Sequence, residues 1–401
     1  MSSGSVNRLL VSKGLRAFGD GFVSLLLPLY LLELGFGTLQ VGIIATVTLL
    51  GSGVMTLLVG LHAWRYHYRT LLLAATLLMV GTGIGFTLAT DFWPLLIIAF
   101  VGTLNPSSGD VSVFLPLEHS VLAGTVGDRD RTAVFARYSL VGSLLAASGS
   151  LAAALPVALV SYAQLSHKSS MQAMFLLYAL LGVCTALVYR GLPRALESTA
   201  QVPTAPLGKS KKIVYTLAAL FSLDAFGGGL VVQSMLALWL YQRFELSVGD
   251  AATIFFWTGV LTAFSYLVAV RLANRFGLVN TMVFTHIPAN LGLVAIPFVP
   301  DLAWVIVLLF IRSALSQMDV PTRSSYVMAI VSPPERPAAA SVTSVPRSLA
   351  SAIGPFLAGY LLSVSPFGWP LVAAGGVKIA YDLLLLLMFR KVRPPEEETR
   401  N

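Results

Sequence analysis

Long apolar runs alternate with short polar gaps along this chain, and the runs exceed what a soluble core helix needs. A helix that crosses a bilayer takes about 20 mostly apolar residues. Twelve segments reach that length: 15–34, 41–60, 70–89, 94–119, 132–160, 171–189, 213–240, 251–270, 278–298, 302–330, 338–363 and 368–389. The pattern predicts an all-α membrane protein with twelve transmembrane helices. The longest gap, 190–212, carries Pro193, Pro203 and Pro206 between basic residues. It divides the chain into an N-terminal six-helix bundle (1–190), a cytoplasmic linker (191–212) and a C-terminal six-helix bundle (213–401).

The two halves repeat each other. Leu15-Arg16-Ala17-Phe18-Gly19-Asp20-Gly21-Phe22 returns 208 residues later as Leu223-Asp224-Ala225-Phe226-Gly227-Gly228-Gly229-Leu230. In this register Arg16 aligns with Asp224, and Asp20 with Gly228. Arg65 matches Arg275 at an offset of 210, and Gly109-Asp110-Val111 matches Met318-Asp319-Val320 at 209. Agreement within two residues marks a duplication, as in transporters built from internal repeats.

Composition agrees with a membrane location. Of 401 residues, 56% are hydrophobic and 11% charged, with a mean hydropathy of +0.81. Soluble proteins carry roughly 25% charged residues. The net charge of +8 is confined by position: if both termini are cytoplasmic, 18 of the 26 Lys and Arg fall in inner segments and two, Lys168 and Arg243, in outer loops. That asymmetry supports cytoplasmic termini and accounts for the basic pI without nucleic acid. The single cysteine, Cys184, excludes an internal disulfide. The first apolar run is too long for a signal-peptide core and reads as a retained helix. The expected location is the cell (inner or plasma) membrane.

The loop after the second helix reads Gly60-Leu61-His62-Ala63-Trp64-Arg65-Tyr66-His67-Tyr68-Arg69, and the loop after the eighth Arg271-Leu272-Ala273-Asn274-Arg275-Phe276-Gly277. With the duplication, these resemble the major facilitator superfamily, whose signature there is Gly-x-x-x-Asp-Arg-x-Gly-Arg-Arg. Gly60, Arg65 and Arg69 match it, Trp64 stands for the Asp and His67 for the second Gly. Asn274-Arg275-Phe276-Gly277 is the closer match. Gly354-Pro355-Phe356-Leu357-Ala358-Gly359 resembles an element that drug–proton antiporters carry in helix five, here displaced to helix eleven. The resemblance implies the two-bundle fold of that superfamily, a central cavity lined by helices one, four, seven and ten, and loop charges that act as a cytoplasmic gate. The gate candidates are Arg65, Arg69, Arg131, Asn274, Arg275, Glu335 and Arg336.

Charges within membrane segments are costly, roughly 2.5–3.5 kcal/mol each on insertion scales. Here they concentrate on the four helices that the resemblance assigns to the cavity: Arg16 and Asp20, Asp110 and Glu118, Asp224, then Arg312, Asp319 and Arg323. Arg16 and Asp20 share a helical face, as do Asp319 and Arg323, with Arg312 seven residues before Asp319. Such pairs either neutralise themselves structurally or face a wet cavity. Asp110 and Asp224 have no opposite charge within four residues, which suits proton exchange. Asp224, Asp110 and Asp20 are therefore the proton-coupling candidates. Arg16, Arg312, Asp319, Arg323, Gln233, Asn105 and Gln317 are candidates for the solute cavity, with His286 and Asn290 as further polar groups. His286 alone reads as a hydrogen-bonded packing residue. By symmetry, Arg16 and Asp224 are expected to meet across the cavity. Gly19, Gly21 and Gly227 to Gly229 suit close helix packing or a local break, and Pro28, Pro106, Pro116 and Pro321 suit kinks.

Gly208-Lys209-Ser210 mimics the end of a phosphate-binding loop but lacks the earlier glycine and a preceding strand. No metal, cofactor or enzyme signature is present. The expected function is secondary active transport of a small or ionic solute by alternating access, as proton-coupled efflux by a monomer. A proton–solute symporter or an exporter of metal or oxyanion species is the alternative. A non-transporting membrane sensor or scaffold is the different class, disfavoured by the short loops and tails.

Overall fold

The computed structural model describes residues 3–62, 66–107, 112–125, 128–193, 207–208, 210–331 and 335–390. Most of these residues are helical, and there is no strand among them. Nine helical spans among them are long and apolar enough to cross a membrane. Phe92–Val101 and Leu302–Leu315 are shorter apolar helices.

Two compact units form. The first comprises residues 1–200 with 232–257, and the second 201–231 with 258–401. In the first unit, α1 (Ser3–Glu33), α2 (Thr38–His62), α3 (Tyr68–Leu88) and α4 (Phe92–Val101) are followed by α5 (Phe114–Thr125), α6 (Asp128–Ala152), α7 (Leu155–Ala163) and α8 (His167–Arg190). To these it adds α10 (Gln233–Phe244). The second unit holds α9 (Lys211–Leu230), α12 (Leu278–Ala295), α13 (Leu302–Leu315), α14 (Asp319–Ile330), α15 (Arg336–Val364) and α16 (Trp369–Phe389). Helix α11 (Val248–Phe276) begins in the first and ends in the second.

Four of the expected continuous helices are interrupted. Segment 94–119 stops at Gly102 and restarts at Phe114. Within the gap Asn105 turns its Oδ1 onto the backbone N–H and the hydroxyl of Ser107, and Pro106 brings no N–H to a helix. Segment 302–330 breaks at 316–318, where Pro321 brings no N–H to the carbonyl of Gln317, four residues back. Segment 132–160 turns at 153–154 ahead of Pro156, which sits in the first turn of α7 where proline is tolerated. Segment 213–240 ends a helix at Leu230 and starts another at Gln233. Pro28, by contrast, lies inside an unbroken α1, and Pro116 in the first turn of α5.

The glycines set the helix crossings, and the repeat reappears in them. A Cβ on Gly21 would enter the carbonyl of Ala146, and one on Gly149 the carbonyl of Phe18, so α1 and α6 meet backbone to backbone. In the second unit Gly229 faces the Ser351 carbonyl and Gly354 the backbone of Gly229 and Leu230, joining α9 to α15 in the same way. The antiporter-like glycine of helix eleven is thus a packing contact.

Candidate functional site

Among the described residues, each unit buries a cluster of charged and polar side chains. In the first, Arg16 of α1 forms an ion pair with Glu118 of α5, whose residue is 0% exposed. Tyr138 of α6 donates to the same carboxylate oxygen, and the Tyr189 hydroxyl of α8 donates to Glu118 Oε1 at 2.6 Å. The Arg16 guanidinium also lies 4.2 Å from the Phe114 ring, and Lys13 Nζ 5.2 Å from the Tyr138 ring. A carboxylate with one guanidinium and two phenols has both oxygens satisfied. Glu118→Gln would leave Arg16 buried against a neutral amide, and breaking such a pair costs about 3–5 kcal/mol. The variant is expected to melt well below the wild type in detergent, as thermal unfolding would record.

In the second unit Asp224 is the hub. Lys378 Nζ of α16 lies 2.6 Å from Oδ1, and Arg323 Nη2 of α14 lies 3.1 Å from Oδ2. Arg323 Nη2 also pairs with Asp319, one turn earlier on α14. His286 Nε2 stands 3.9 Å from Asp224 Oδ1, while its Nδ1 is 2.9 Å from Asp382 Oδ1. Asn290 Nδ2 donates to Asp382 Oδ2 at 3.1 Å. Asp224, Asp319 and Asp382 are all buried. Gly227 and Gly228 make room for this cluster: a Cβ on Gly227 would stand 2.9 Å from Lys378 Cγ.

The structure brings together Asp224, Asp319 and Arg323. Arg16 and Asp224, expected to meet, each find their ion pairs within their own unit. Nor does Asp224 stand as an isolated carboxyl, because α14 and α16 supply cations that its own helix lacks. Arg16 takes Glu118 as an ion-pair partner from another helix; Asp20 is half-buried and within electrostatic range of Tyr178. The break at 316–318 removes the common face expected for Arg312 and Asp319. Arg312 is half-buried on α13, within electrostatic range of Lys378. Asn105 is buried in the break after α4, Gln317 lies half-buried in the break before α14, and Gln233 Nε2 is 3.5 Å from Ser150 Oγ. Asp110 and Arg65 lie outside the described residues, as do the side chains of Arg131 and Asn274.

Of the gate candidates, Arg69 is half-buried at the start of α3, Arg336 is exposed, and Arg275 is exposed with its guanidinium 5.3 Å from the Phe276 ring. Glu335 is buried, and its Oε1 accepts the backbone N–H of Gly208 at 2.7 Å. It ties the C-terminal end of the linker to the start of α15. Removing that acceptor with Glu335→Ala orphans a part-buried N–H, a loss of about 1–3 kcal/mol. Trypsin is expected to cut at Lys211 and Lys212 several-fold faster in that variant; an unchanged digestion rate would show that the contact does not restrain the segment.

The repeat now has a chemical form. Arg16–Glu118 joins α1 to α5 and Asp224–Arg323 joins α9 to α14: Arg16 and Asp224 align in the repeat, while Arg323 stands four residues before the counterpart of Glu118. A family model described as the Major Facilitator Superfamily matches residues 9–316 and 214–401. The chain belongs to the Major Facilitator Superfamily. It is therefore a multi-pass membrane transporter rather than an enzyme. It is 24% identical over 423 residues to the uncharacterized membrane protein YJR124C of Saccharomyces cerevisiae, covering 97% of this chain and 94% of that protein. Among solved structures, the nucleoside transporter NupG is similar at 13% identity and a TM-score of 0.74, over 97% of this chain and 100% of that one. The human organic anion transporter MFSD10 is similar at 17% identity and a TM-score of 0.69, over 96% and 100%.

Sequence reasoning missed Lys378 and Asp382 on α16 and Arg347 on α15, which lie outside the four helices that the resemblance assigns to the cavity. The signal was present. Lys378 and Asp382 stand four apart inside the apolar run 368–389, the same cost argument that selected Asp224.

Proposed function

We propose that this superfamily member is a secondary active transporter that moves a small solute by alternating access and couples that movement to protons at Asp224. One observation carries the reading: a buried carboxylate is held by two cations from two other helices, Lys378 and Arg323. Such a carboxylate gives up its charge only when at least one of those cations takes another partner. Protonation and a rearrangement of α9, α14 and α16 are then a single event. His286, between Asp224 and Asp382, can hand a proton from one carboxylate to the other. The capped Arg16–Glu118 cluster we assign to the scaffold.

For direction, the Gly354-Pro355 element favoured efflux, and its packing against Gly229 weakens that support. The double pairing of Asp224 favours symport instead. A solute group that takes over one of the cations leaves Asp224 to bind a proton, so solute and proton load together. The likeness to a nucleoside transporter and to an organic anion transporter supports a small organic solute.

Purified protein in proteoliposomes with an imposed pH gradient tests the reading. Flux of at least one compound from a broad radiolabelled panel is expected to follow the gradient and to collapse with a protonophore. Solute movement indifferent to the gradient would remove proton coupling, and no movement across the panel would remove transport of these solutes.

A further inference from the structure

The carboxylates of the second cluster are all engaged, but its cations are not. Asp382 takes His286 and Asn290, Asp224 takes Lys378 and Arg323, and Asp319 takes Arg323. Arg323 makes these bonds through Nη2. Its Nε and Nη1 are buried without a hydrogen-bond partner among the described residues, on a side chain 7% exposed. Arg347 of α15 is exposed and within electrostatic range of Arg323, Asp224 and Tyr381. Among the described residues, no carboxylate lies at ion-pair distance from Arg347 or from Arg312. Arg323 therefore sits beside like charges with two buried N–H-bearing nitrogens to spare among the described residues, and a further negative group would relieve both conditions.

We propose that Arg323 and Arg347, with Lys378 at their side, bind an anionic group of the transported solute, so that the substrate is an organic anion. The inference rests on the transport reading and names its substrate class. Guanidinium groups suit planar carboxylates and phosphates alike, through charge-assisted bonds to two oxygens. The exposed Arg347 is the cation an arriving anion meets first. Arg323 then completes its coordination, while its bond to Asp224 is exchanged for one to the solute.

Thermal unfolding of the purified full chain in detergent, at constant ionic strength, tests this with matched probes: succinate against succinamide, glucose 6-phosphate against glucose, uridine monophosphate against uridine. At least one anion is expected to raise the melting temperature where its neutral counterpart does not. Succinate alone points to a carboxylate, the two phosphate esters to a phosphate. Arg347→Gln is expected to raise the apparent dissociation constant for that anion at least tenfold. Arg323→Lys, which keeps the charge and loses the planar donors, is expected to do the same. The proposal is overturned if neutral members stabilise as well as anions, if no anion shifts the melting temperature, or if both variants bind the anion as the wild type does. An anion that binds but ignores the pH gradient in proteoliposomes keeps this site and removes proton coupling. A neutral solute driven by protons does the reverse.

Discussion

Asp224→Asn is expected to reduce proton-coupled flux by at least about a hundredfold, a barrier increase of about 2.7 kcal/mol. Asparagine keeps the shape and can still meet Lys378, but it carries neither a titratable proton nor a charge. The variant also leaves Lys378 and Arg323 buried with less compensation, and removing one member of such a group costs about 3–5 kcal/mol. Loss of flux could then reflect loss of fold. The double variant Asp224→Asn with Lys378→Met separates the two, since it removes one anion and one cation together. It is expected to recover most of the melting temperature and none of the coupling. Wild-type coupling in Asp224→Asn protein would move the protonation site to Asp20 or Asp110.

The second large effect concerns Gly227-Gly228-Gly229. Alanine at 228 meets only the Lys378 ammonium end, 3.8 Å away, and is expected to be tolerated within about 1 kcal/mol, the ordinary helix preference of alanine acting in its favour. Alanine at 227 presses on Lys378 Cγ at 2.9 Å, where the flexible stem can yield, and an overpacking cost of about 1–3 kcal/mol is expected. Alanine at 229 would enter the Ser351 carbonyl, which belongs to a helix backbone and cannot step aside. That variant is expected to lose more than about 3 kcal/mol and to accumulate poorly, because the α9–α15 crossing must open. Melting temperatures in the order 228, 227, 229 would support this ranking. A stable Gly229→Ala protein would mean that the two backbones do not approach as described.

Helical class and membrane character were legible in the apolar pattern, because hydrocarbon leaves so little choice of residue over 20 positions. Breaks inside the long runs were not. The pattern carries no period that distinguishes one long helix from two, and Pro106 and Pro321 read as kinks. Partners in the clusters were legible only by half. Spacing finds Asp319–Arg323, which lies on one helix, but not Arg16–Glu118 or Asp224–Lys378, whose members are 102 and 154 residues apart. Periodicity along one helix says nothing about which other helix a side chain faces. The alignment of Arg16 with Asp224 did point to both hubs. What it could not supply was that each of these charges finds a partner on another helix of its own copy.

Helix α10 shows that ancestry and compaction cut this chain differently. By repeat it continues α9, yet it packs in the first unit, where the Ser234 N–H donates to the Pro106 carbonyl at 3.0 Å, Gln242 reaches Thr38 at 2.9 Å and Trp239 is buried. The polypeptide thus passes between units three times, after residues 200, 231 and 257. A gene split at the linker would therefore yield two fragments that each lack part of themselves, the first missing α10 and the second carrying it unhoused. Co-expression, not separate refolding, is the condition under which such halves could form a working molecule.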